Sequence, residues 1–296
     1  MPDSLVYSKL LVPLRALYGY IARNKKQELL HFDVHIAEQC NLNCVGCLHF
    51  STLAPKQFID LEKYENDCKR IAELSSGGCM DYIELLGGEP LLNPQIVEIM
   101  KISRSYFPQC TIRIATNGTL LKNQTDEFWE SCHTNNISIT VSVYPVNIDY
   151  DFIFDKVNRH DVRIDFRADI EIMPKVLQNR SLSRVLKWLR LPMNIDGRQN
   201  LLKNNALCPL SNCFQLVEGK LYKCARTAYV KFFNNYFNAE FEVTENDYID
   251  IYKAKNMDEI LDKLRRPIPF CRYCKTDIPQ YVKWRTTKKE ISEWVE

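Results

Sequence analysis

The chain has 296 residues, of which 46% are hydrophobic and 26% are charged. These values exclude a disordered chain, and no apolar stretch reaches the roughly 18–20 residues that a membrane-spanning helix needs. The formal net charge of +2 excludes the large basic surface of a nucleic-acid-binding protein.

The N-terminal segment, residues 5–26, places leucine, tyrosine and isoleucine at helical spacing beside basic residues. We predict a helix here, within an N-terminal extension over residues 1–30. It either packs across the main domain, which we favour, or makes peripheral contact with an anionic membrane surface. The segment has neither the basic start nor the cleavage site of a secretory signal, so we expect a cytoplasmic protein with reduced thiols.

From residue 32 to about 170, short apolar segments alternate with longer amphipathic ones. Predicted strands cover 32–37, 81–86, 111–116, 137–145 and 162–168, and predicted helices cover 60–74, 93–107, 124–135 and 150–160. This alternation predicts an α/β fold with a parallel sheet, closed or partly closed. The loops after such strands meet at one rim, where active sites are built.

Beyond residue 170 the alternation weakens. The elements predicted there are a helix over 183–191, a β-hairpin over 214–223 that turns at Glu218-Gly219, and a helix over 256–266. The acidic segment 240–250 is predicted to be a solvated loop. A polar stretch at 195–207 separates a main domain over 31–200 from a small cysteine-rich domain over 201–296.

Twelve cysteines are unevenly placed along the chain. Cys40, Cys44 and Cys47 follow the first predicted strand. Five more gather late in the chain: Cys208, Cys213, Cys224, Cys271 and Cys274. Thiolates favour iron–sulfur clusters and zinc. Three early thiolates leave one coordination position unfilled, and a zinc site that includes the late cysteines remains an alternative.

The run Cys40-x-x-x-Cys44-x-x-Cys47 resembles the signature of the radical S-adenosylmethionine enzymes. Gly87-Gly88-Glu89-Pro90 after the second strand resembles the glycine-rich motif of that family, and residues 115–118 end the third strand as the family's segment does. The resemblance implies a partial (β/α)6 TIM-like barrel in which three cysteines hold a 4Fe–4S cluster. The free iron of the cluster would bind S-adenosylmethionine, and an electron donor such as flavodoxin or ferredoxin would supply the electron. Reductive cleavage would then give a 5′-deoxyadenosyl radical that removes a hydrogen atom from the substrate.

The resemblance also assigns residues to S-adenosylmethionine. The expected contacts are Gly87, Gly88, Glu89, Pro90, Asn117, Ser142 and Arg167. Glycines would let backbone carbonyls approach the ammonium group of the ligand, because no Cβ intervenes. Glu89 would add a charge or brace its loop. Arg163 or Arg167, both on the fifth predicted strand, would meet the methionine carboxylate, and Arg167 is preferred because it lies nearer the end of the strand.

One position departs from the family pattern. Many members carry an aromatic residue just before the third cysteine, where it touches adenine, and this chain has Gly46 there. His49 or Phe50 would substitute for that contact, or each would simply pack in the interior.

The late cysteines resemble the twitch or SPASM-like extension of the family, in its version with one auxiliary 4Fe–4S cluster. Four of the five thiols would bind this cluster. The pattern favours Cys208 beside Cys224, Cys271 and Cys274, whereas the predicted hairpin places Cys213 directly opposite Cys224. The surplus thiol would be either a hydrogen-atom donor, as in radical epimerases, or an inert buried cysteine.

Residues 48–54 and 267–274 resemble family members encoded beside glycan biosynthesis genes. This looser resemblance implies a small-molecule or glycan substrate that is oxidised or epimerised. Modification of a ribosomally made peptide is an alternative, although no leader-binding domain is evident. A non-catalytic electron carrier or zinc-binding module is the alternative of another class, and no nucleic-acid partner is expected.

Overall fold

The computed structural model describes residues 30–76, 78, 80–168, 174–177, 182–185, 189–276 and 280–296. The predicted N-terminal helix and its membrane contact lie outside these residues and stay predictions, and Cys79 also lies outside them. No helix in the described ranges is long and apolar enough to cross a membrane.

The first half of the chain alternates strands and helices as predicted. The elements are β1 (Phe32–Ala37), α1 (Leu61–Leu74), β2 (Tyr82–Gly87), α2 (Ile96–Tyr106), β3 (Thr111–Thr116), α3 (Asp126–Thr134), β4 (Ile137–Ser142), α4 (Tyr150–His160) and β5 (Ile164–Ala168). Amphipathic sequence and capping define these helices. In α1, Tyr64, Cys68 and Ile71 form the buried face, and the carboxylate of Asp60 accepts a hydrogen bond from the Lys63 N–H.

The second half is less regular. It contains β6 (Leu182–Val185), β7 (Leu189–Arg190), α5 (Leu201–Leu207), β8 (Gln215–Val217), β9 (Lys220–Tyr222), α6 (Ala225–Phe237), β10 (Tyr248–Asp250), α7 (Met257–Arg265) and β11 (Gln280–Tyr281). The predicted hairpin is confirmed as β8 and β9. Glu218 and Gly219 at its turn both have positive φ, at 46° and 74°, as a two-residue type I′ turn requires.

Nine strands form one sheet in the order β10-β9-β8-β1-β2-β3-β4-β5-β6. Strands β1 to β6 are parallel to their neighbours, which confirms the predicted α/β fold with its parallel six-stranded barrel segment. Strand β8 also pairs in parallel with β1. The sheet therefore continues across the domain boundary predicted at residue 200, because β8 to β10 extend its β1 edge. Strands β7 and β11 form a separate antiparallel pair.

The second half departs from prediction in two segments and contains one helix that was not predicted. The segment 183–191 forms no single helix, because residues 182–185 pair with β5 and residues 189–190 pair with β11. Helix α6 was not predicted, although its apolar residues recur at helical spacing. The acidic segment 240–250 is only partly a loop, since it contains β10 and the buried carboxylate of Asp247.

Two apolar clusters hold the fold together. The larger one fills the space between the parallel sheet and α1 to α4. The smaller one surrounds α6 and joins Phe50, Tyr229 and Phe233 to Trp294 near the C-terminus. The second cluster anchors both the cysteine loop, residues 40–50, and the end of the chain at one rim of the sheet.

Candidate active site

A cavity of about 820 Å³ opens at the carboxyl ends of the parallel strands. The cavity brings together most of the residues singled out in the sequence: Cys40, Cys44, Cys47, Gly87, Gly88, Asn117, Ser142, Arg167 and Cys213. Parallel strands end at the same edge of a sheet, which is why loops distant in sequence meet here. Glu89 and Pro90 are buried behind this wall.

The three early thiols are shielded from water. Burial raises the pKa of Cys44 to about 12 and holds the pKa values of Cys40 and Cys47 above their ordinary value. Thiols of this kind lose their protons when a metal binds, because metal binding and deprotonation are coupled. The donor set fits the implied cluster, because three thiolates can each bind a different iron of a cubic iron–sulfur cluster.

The two glycines at the end of β2 are explained by packing against the cysteine loop. A Cβ on Gly87 would come within 2.1 Å of the Ala37 carbonyl oxygen, and a Cβ on Gly88 within 2.2 Å of the Gln39 carbonyl oxygen. Real Cβ atoms never approach backbone so closely. Glycine is therefore needed here to let the backbone before Cys40 cross the end of β2.

Glu89 braces the ends of two strands. Its carboxylate accepts hydrogen bonds from the Thr116 hydroxyl at 2.6 Å, the Asn117 N–H at 2.9 Å and the Leu91 N–H at 3.1 Å. The side chain is wholly buried, which raises its pKa to about 7 although these donors oppose the shift. Of the two roles predicted for Glu89, the geometry supports bracing.

Asn117 and Arg167 reach the cavity from β3 and β5. The Asn117 amide nitrogen donates to the Asn41 side-chain oxygen at 2.8 Å, which ties the end of β3 to the cysteine loop. Arg167 donates to a carboxylate oxygen of Glu84 at 2.7 Å. This ion pair holds the guanidinium in place at the base of the cavity.

The two candidates for the missing aromatic contact lie in different places. His49 lines the cavity, and its ring is hydrogen-bonded to His35 at 2.7 Å. Burial lowers the pKa of His49 to about 3, so its ring is neutral. Phe50 packs against Phe233 in the smaller apolar cluster. Gly46 has φ +58°, and a Cβ there would lie 3.0 Å from the Glu293 carbonyl oxygen.

The structure separates the five late cysteines into two groups. Burial raises the pKa of Cys208 well above its ordinary value, and the nearby thiols of Cys274, Cys224 and Cys271 add to this effect. Cys213 instead lines the cavity of the early cysteines. The hairpin register pairs Gln215 with Tyr222, and the paired residues end there, two residues before Cys224 and two after Cys213. The choice of Cys208 or Cys213 as the auxiliary ligand stays a prediction.

A buried cation lies beside the four grouped thiols. Arg226, in the first turn of α6, is 2% exposed and faces Cys274, where it lowers the pKa of a thiol that burial raises. Its Nε and Nη1 atoms have no hydrogen-bond partner among the residues described. A guanidinium in such surroundings calls for an anion, and a cluster with four thiolates is one. Sequence analysis did not single out Arg226, although it lies two residues after Cys224.

Comparison with known proteins gives several matches. Residues 34–165 match the profile of the Radical SAM superfamily. A GTP 3′,8-cyclase of Chlorobaculum tepidum is 38% identical over 98 residues, which cover 33% of this chain and 28% of that protein. A 7-carboxy-7-deazaguanine synthase of Aquifex aeolicus is 25% identical over 172 residues, which cover 57% of this chain and 70% of that protein.

The likeness extends to a solved structure. Native anSMEcpe with bound AdoMet superposes with a TM-score of 0.51 at 13% identity, over 81% of each chain. At this identity the likeness shows a shared fold. The chain spans only 28–31% of the length of the first three GTP 3′,8-cyclases that it matches.

Proposed function

Because residues 34–165 form a Radical SAM superfamily domain, we propose that the chain is an enzyme that removes a hydrogen atom from a sugar or a glycan intermediate. The family's 4Fe–4S cluster and S-adenosylmethionine, when bound, supply the 5′-deoxyadenosyl radical for this step. Cys40, Cys44 and Cys47 would hold the cluster. Its one-electron reductant would be a cytoplasmic flavodoxin or ferredoxin.

One observation carries the proposal: a single cavity joins the three early thiols to groups that suit the cofactor and a substrate. Asn117, Ser142 and Arg167 add an amide, a hydroxyl and a cation to the cavity wall. These groups orient the bound molecules, and the buried walls keep water from a reactive radical.

The lining of the cavity favours a neutral, hydroxylated substrate. Arg167 is the one cationic side chain among its described lining residues, and it shares the Glu84 carboxylate with Arg113. The hydroxyl of Ser51 is buried without a hydrogen-bond partner in the described ranges, so it can still bind a polar group. A nucleoside triphosphate would require several basic side chains.

GTP is the second candidate substrate because relatives named GTP 3′,8-cyclase match part of the chain. The described cavity residues supply too little positive charge for it. A ribosomally made peptide is the third candidate.

We also propose an auxiliary 4Fe–4S cluster at Cys208, Cys224, Cys271 and Cys274, in a twitch-like C-terminal domain. Two features support it: the other three thiols are near enough to Cys208 to raise its pKa, and Arg226 beside them has N–H groups without partners in the described part of the chain. In an oxidation, the substrate radical must lose one further electron, and this cluster would accept it.

Cys213 is proposed as a hydrogen-atom donor in the alternative reaction, an epimerisation. After hydrogen is removed from one face of a substrate carbon, the Cys213 S–H bond would break and the hydrogen atom would return to the other face. The sulfur radical would then gain one electron from the flavodoxin or ferredoxin and one proton from solvent. The position of Cys213 in the cavity wall supports this role.

The proposal is tested by anaerobic reconstitution with iron and sulfide, followed by dithionite and S-adenosylmethionine. Release of 5′-deoxyadenosine and methionine is expected, and Cys40→Ala should abolish it. Sugars, GTP and peptides are then compared for consumption. An intact cluster without release would indicate an electron carrier, and stoichiometric zinc would indicate a structural module; either result contradicts the proposal.

Oxidation and epimerisation are separated with the accepted substrate in D2O. Epimerisation should place deuterium at the inverted carbon, and Cys213→Ala should abolish this incorporation. Cys132→Ala is the matched control, because Cys132 is a buried cysteine in α3 that packs against Met100. An oxidised product that forms equally well with Cys213→Ala would exclude the donor role.

A further inference from the structure

The last described segment, residues 280–296, lies against the cysteine loop, and we call it the C-terminal strap. An antiparallel bridge joins Cys44 to Thr286. Beside it, the Val45 N–H donates to the Arg285 carbonyl at 2.9 Å. The backbone around one of the three early cysteines is therefore held by a segment about 240 residues later in the chain.

Two indoles of the strap contact the cysteines differently. The Trp284 Nε1–H donates to the sulfur of Cys44 at 3.2 Å. The Trp294 Nε1–H donates to the backbone carbonyl of Cys47 at 2.9 Å. The indole N–H of Trp284 is therefore bonded to a cysteine sulfur atom, whereas that of Trp294 is bonded to a cysteine backbone oxygen.

A hydrogen bond to a thiolate sulfur stabilises negative charge on it. Reduction of an iron–sulfur cluster adds negative charge to the cluster and its thiolates, so N–H donors favour the reduced state and raise the reduction potential. A bond to a backbone carbonyl has little such effect, because that oxygen does not share the added charge. Trp284 and Trp294 should therefore differ in their effect on the cluster.

We propose that Trp284 is a positioning residue that orients Cys44 and raises the reduction potential of the early cluster. This inference rests on the proposed function, in which Cys44 is an iron ligand. The residue lies outside the region 34–165 that matches the superfamily profile. The strap thereby makes an electronic contribution to a cluster bound by the opposite end of the chain.

The test uses the full-length protein with reconstituted clusters and the variant Trp284→Phe, which keeps an aromatic ring and removes the N–H donor. Potentiometric titration is followed by electron paramagnetic resonance. The early cluster is recognised as the signal that changes when S-adenosylmethionine is added, because that ligand binds one of its irons. We expect the ratio of reduced to oxidised early cluster, at a fixed potential, to fall about tenfold, a shift of about 59 mV to more negative potential.

Two further variants make the test specific. Trp294→Phe is the matched control: it makes the same change of ring beside a carbonyl, and its potential should equal that of the parent protein. Trp284→His keeps a ring N–H and should recover most of the ratio. Greater exposure of the cluster to water would move the potential in the positive direction, so the sign of the shift separates loss of the hydrogen bond from exposure.

An unchanged potential in Trp284→Phe with full iron content would overturn the inference, and so would equal shifts in Trp284→Phe and Trp294→Phe. If Trp284→Phe loses the early cluster, the Trp284→His variant provides the test. A cluster that this variant retains at the potential of the parent protein supports the inference, and loss of the cluster from this variant overturns it. Failure of the proposed function is distinct, because the parent protein would then hold its cluster without cleaving S-adenosylmethionine.

Discussion

Replacing Cys208 with alanine should lower the iron content of the protein, whereas replacing Cys213 should leave it unchanged. Cys208 lies near the thiols of Cys224, Cys271 and Cys274, whereas Cys213 lines the cavity of the early cysteines. We expect Cys208→Ala to lose the auxiliary cluster, so that iron falls from about eight to about four per chain. Cys213→Ala should keep about eight, because its thiol is not placed among the four.

The expected loss of stability follows from Arg226. This guanidinium is 2% exposed, and two of its nitrogen atoms lack partners in the described part of the chain. Without the anionic cluster it becomes an uncompensated buried charge. Breaking a buried ion pair in this way costs about 3–5 kcal/mol. At roughly 2–4 °C per kcal/mol, the unfolding midpoint of Cys208→Ala should drop by about 6–20 °C.

Iron and sulfide determination after anaerobic reconstitution measures the cluster content of each variant. Anaerobic thermal unfolding measures the change in its unfolding midpoint. Arg226→Leu provides a check, because it removes the buried charge: the double variant Cys208→Ala, Arg226→Leu should regain part of the lost stability. The reasoning is refuted if Cys213→Ala loses about four irons while Cys208→Ala retains about eight.

Three further outcomes are expected. Gly88→Ala should fail to assemble the early cluster, since its Cβ would lie 2.2 Å from the Gln39 carbonyl oxygen; a full iron content would contradict this. The buried Glu89 carboxyl has its pKa raised from 4.5 to about 7, so the folded state binds more protons than the unfolded state in that range. Its contribution to the unfolding free energy should therefore fall by on the order of 3 kcal/mol as pH rises from 4.5 to 7. Urea unfolding of the apoprotein should show a flatter pH profile for Glu89→Gln, and equal profiles would refute the assignment. The Asp67 carboxylate accepts a hydrogen bond from the Gly219 N–H at 2.8 Å. Asp67→Ala should therefore lower the unfolding free energy, measured by urea unfolding, by about 2–3 kcal/mol. A change below about 0.5 kcal/mol would contradict this role of Asp67.

Local pattern was sufficient to predict the parallel sheet and its rim. The spacing of apolar residues identified β1 to β5 and α1 to α4. Each of these elements buries one face, so its apolar residues repeat with the period of a strand or of a helix. The cysteine loop and Gly87-Gly88 were found because their spacing is local. The structural reason for these two glycines could not be predicted, because the backbone that packs against them, at Ala37 and Gln39, belongs to a different segment of the chain.

Prediction failed where contacts between distant segments decide conformation. Residues 182–185 and 189–190 carry a pattern typical of a helix, yet they form strands because β5 and β11 pair with them. Helix α6 follows directly after Cys224, and it is buried on most of its sides, so its sequence lacks the polar face that marks an amphipathic helix. The hairpin turn at Glu218-Gly219 and its register, by contrast, were predicted because both depend on neighbouring residues.

The sequence by itself determined which residue types are available: three early thiols, five late ones and a glycine-rich turn after a buried strand. Only the tertiary structure decided how the thiols are grouped and which side chains surround them. The physical reason is that the surroundings of a thiol depend on segments far away in the chain. Trp284 beside Cys44 and Arg226 beside Cys274 are both placed by such packing.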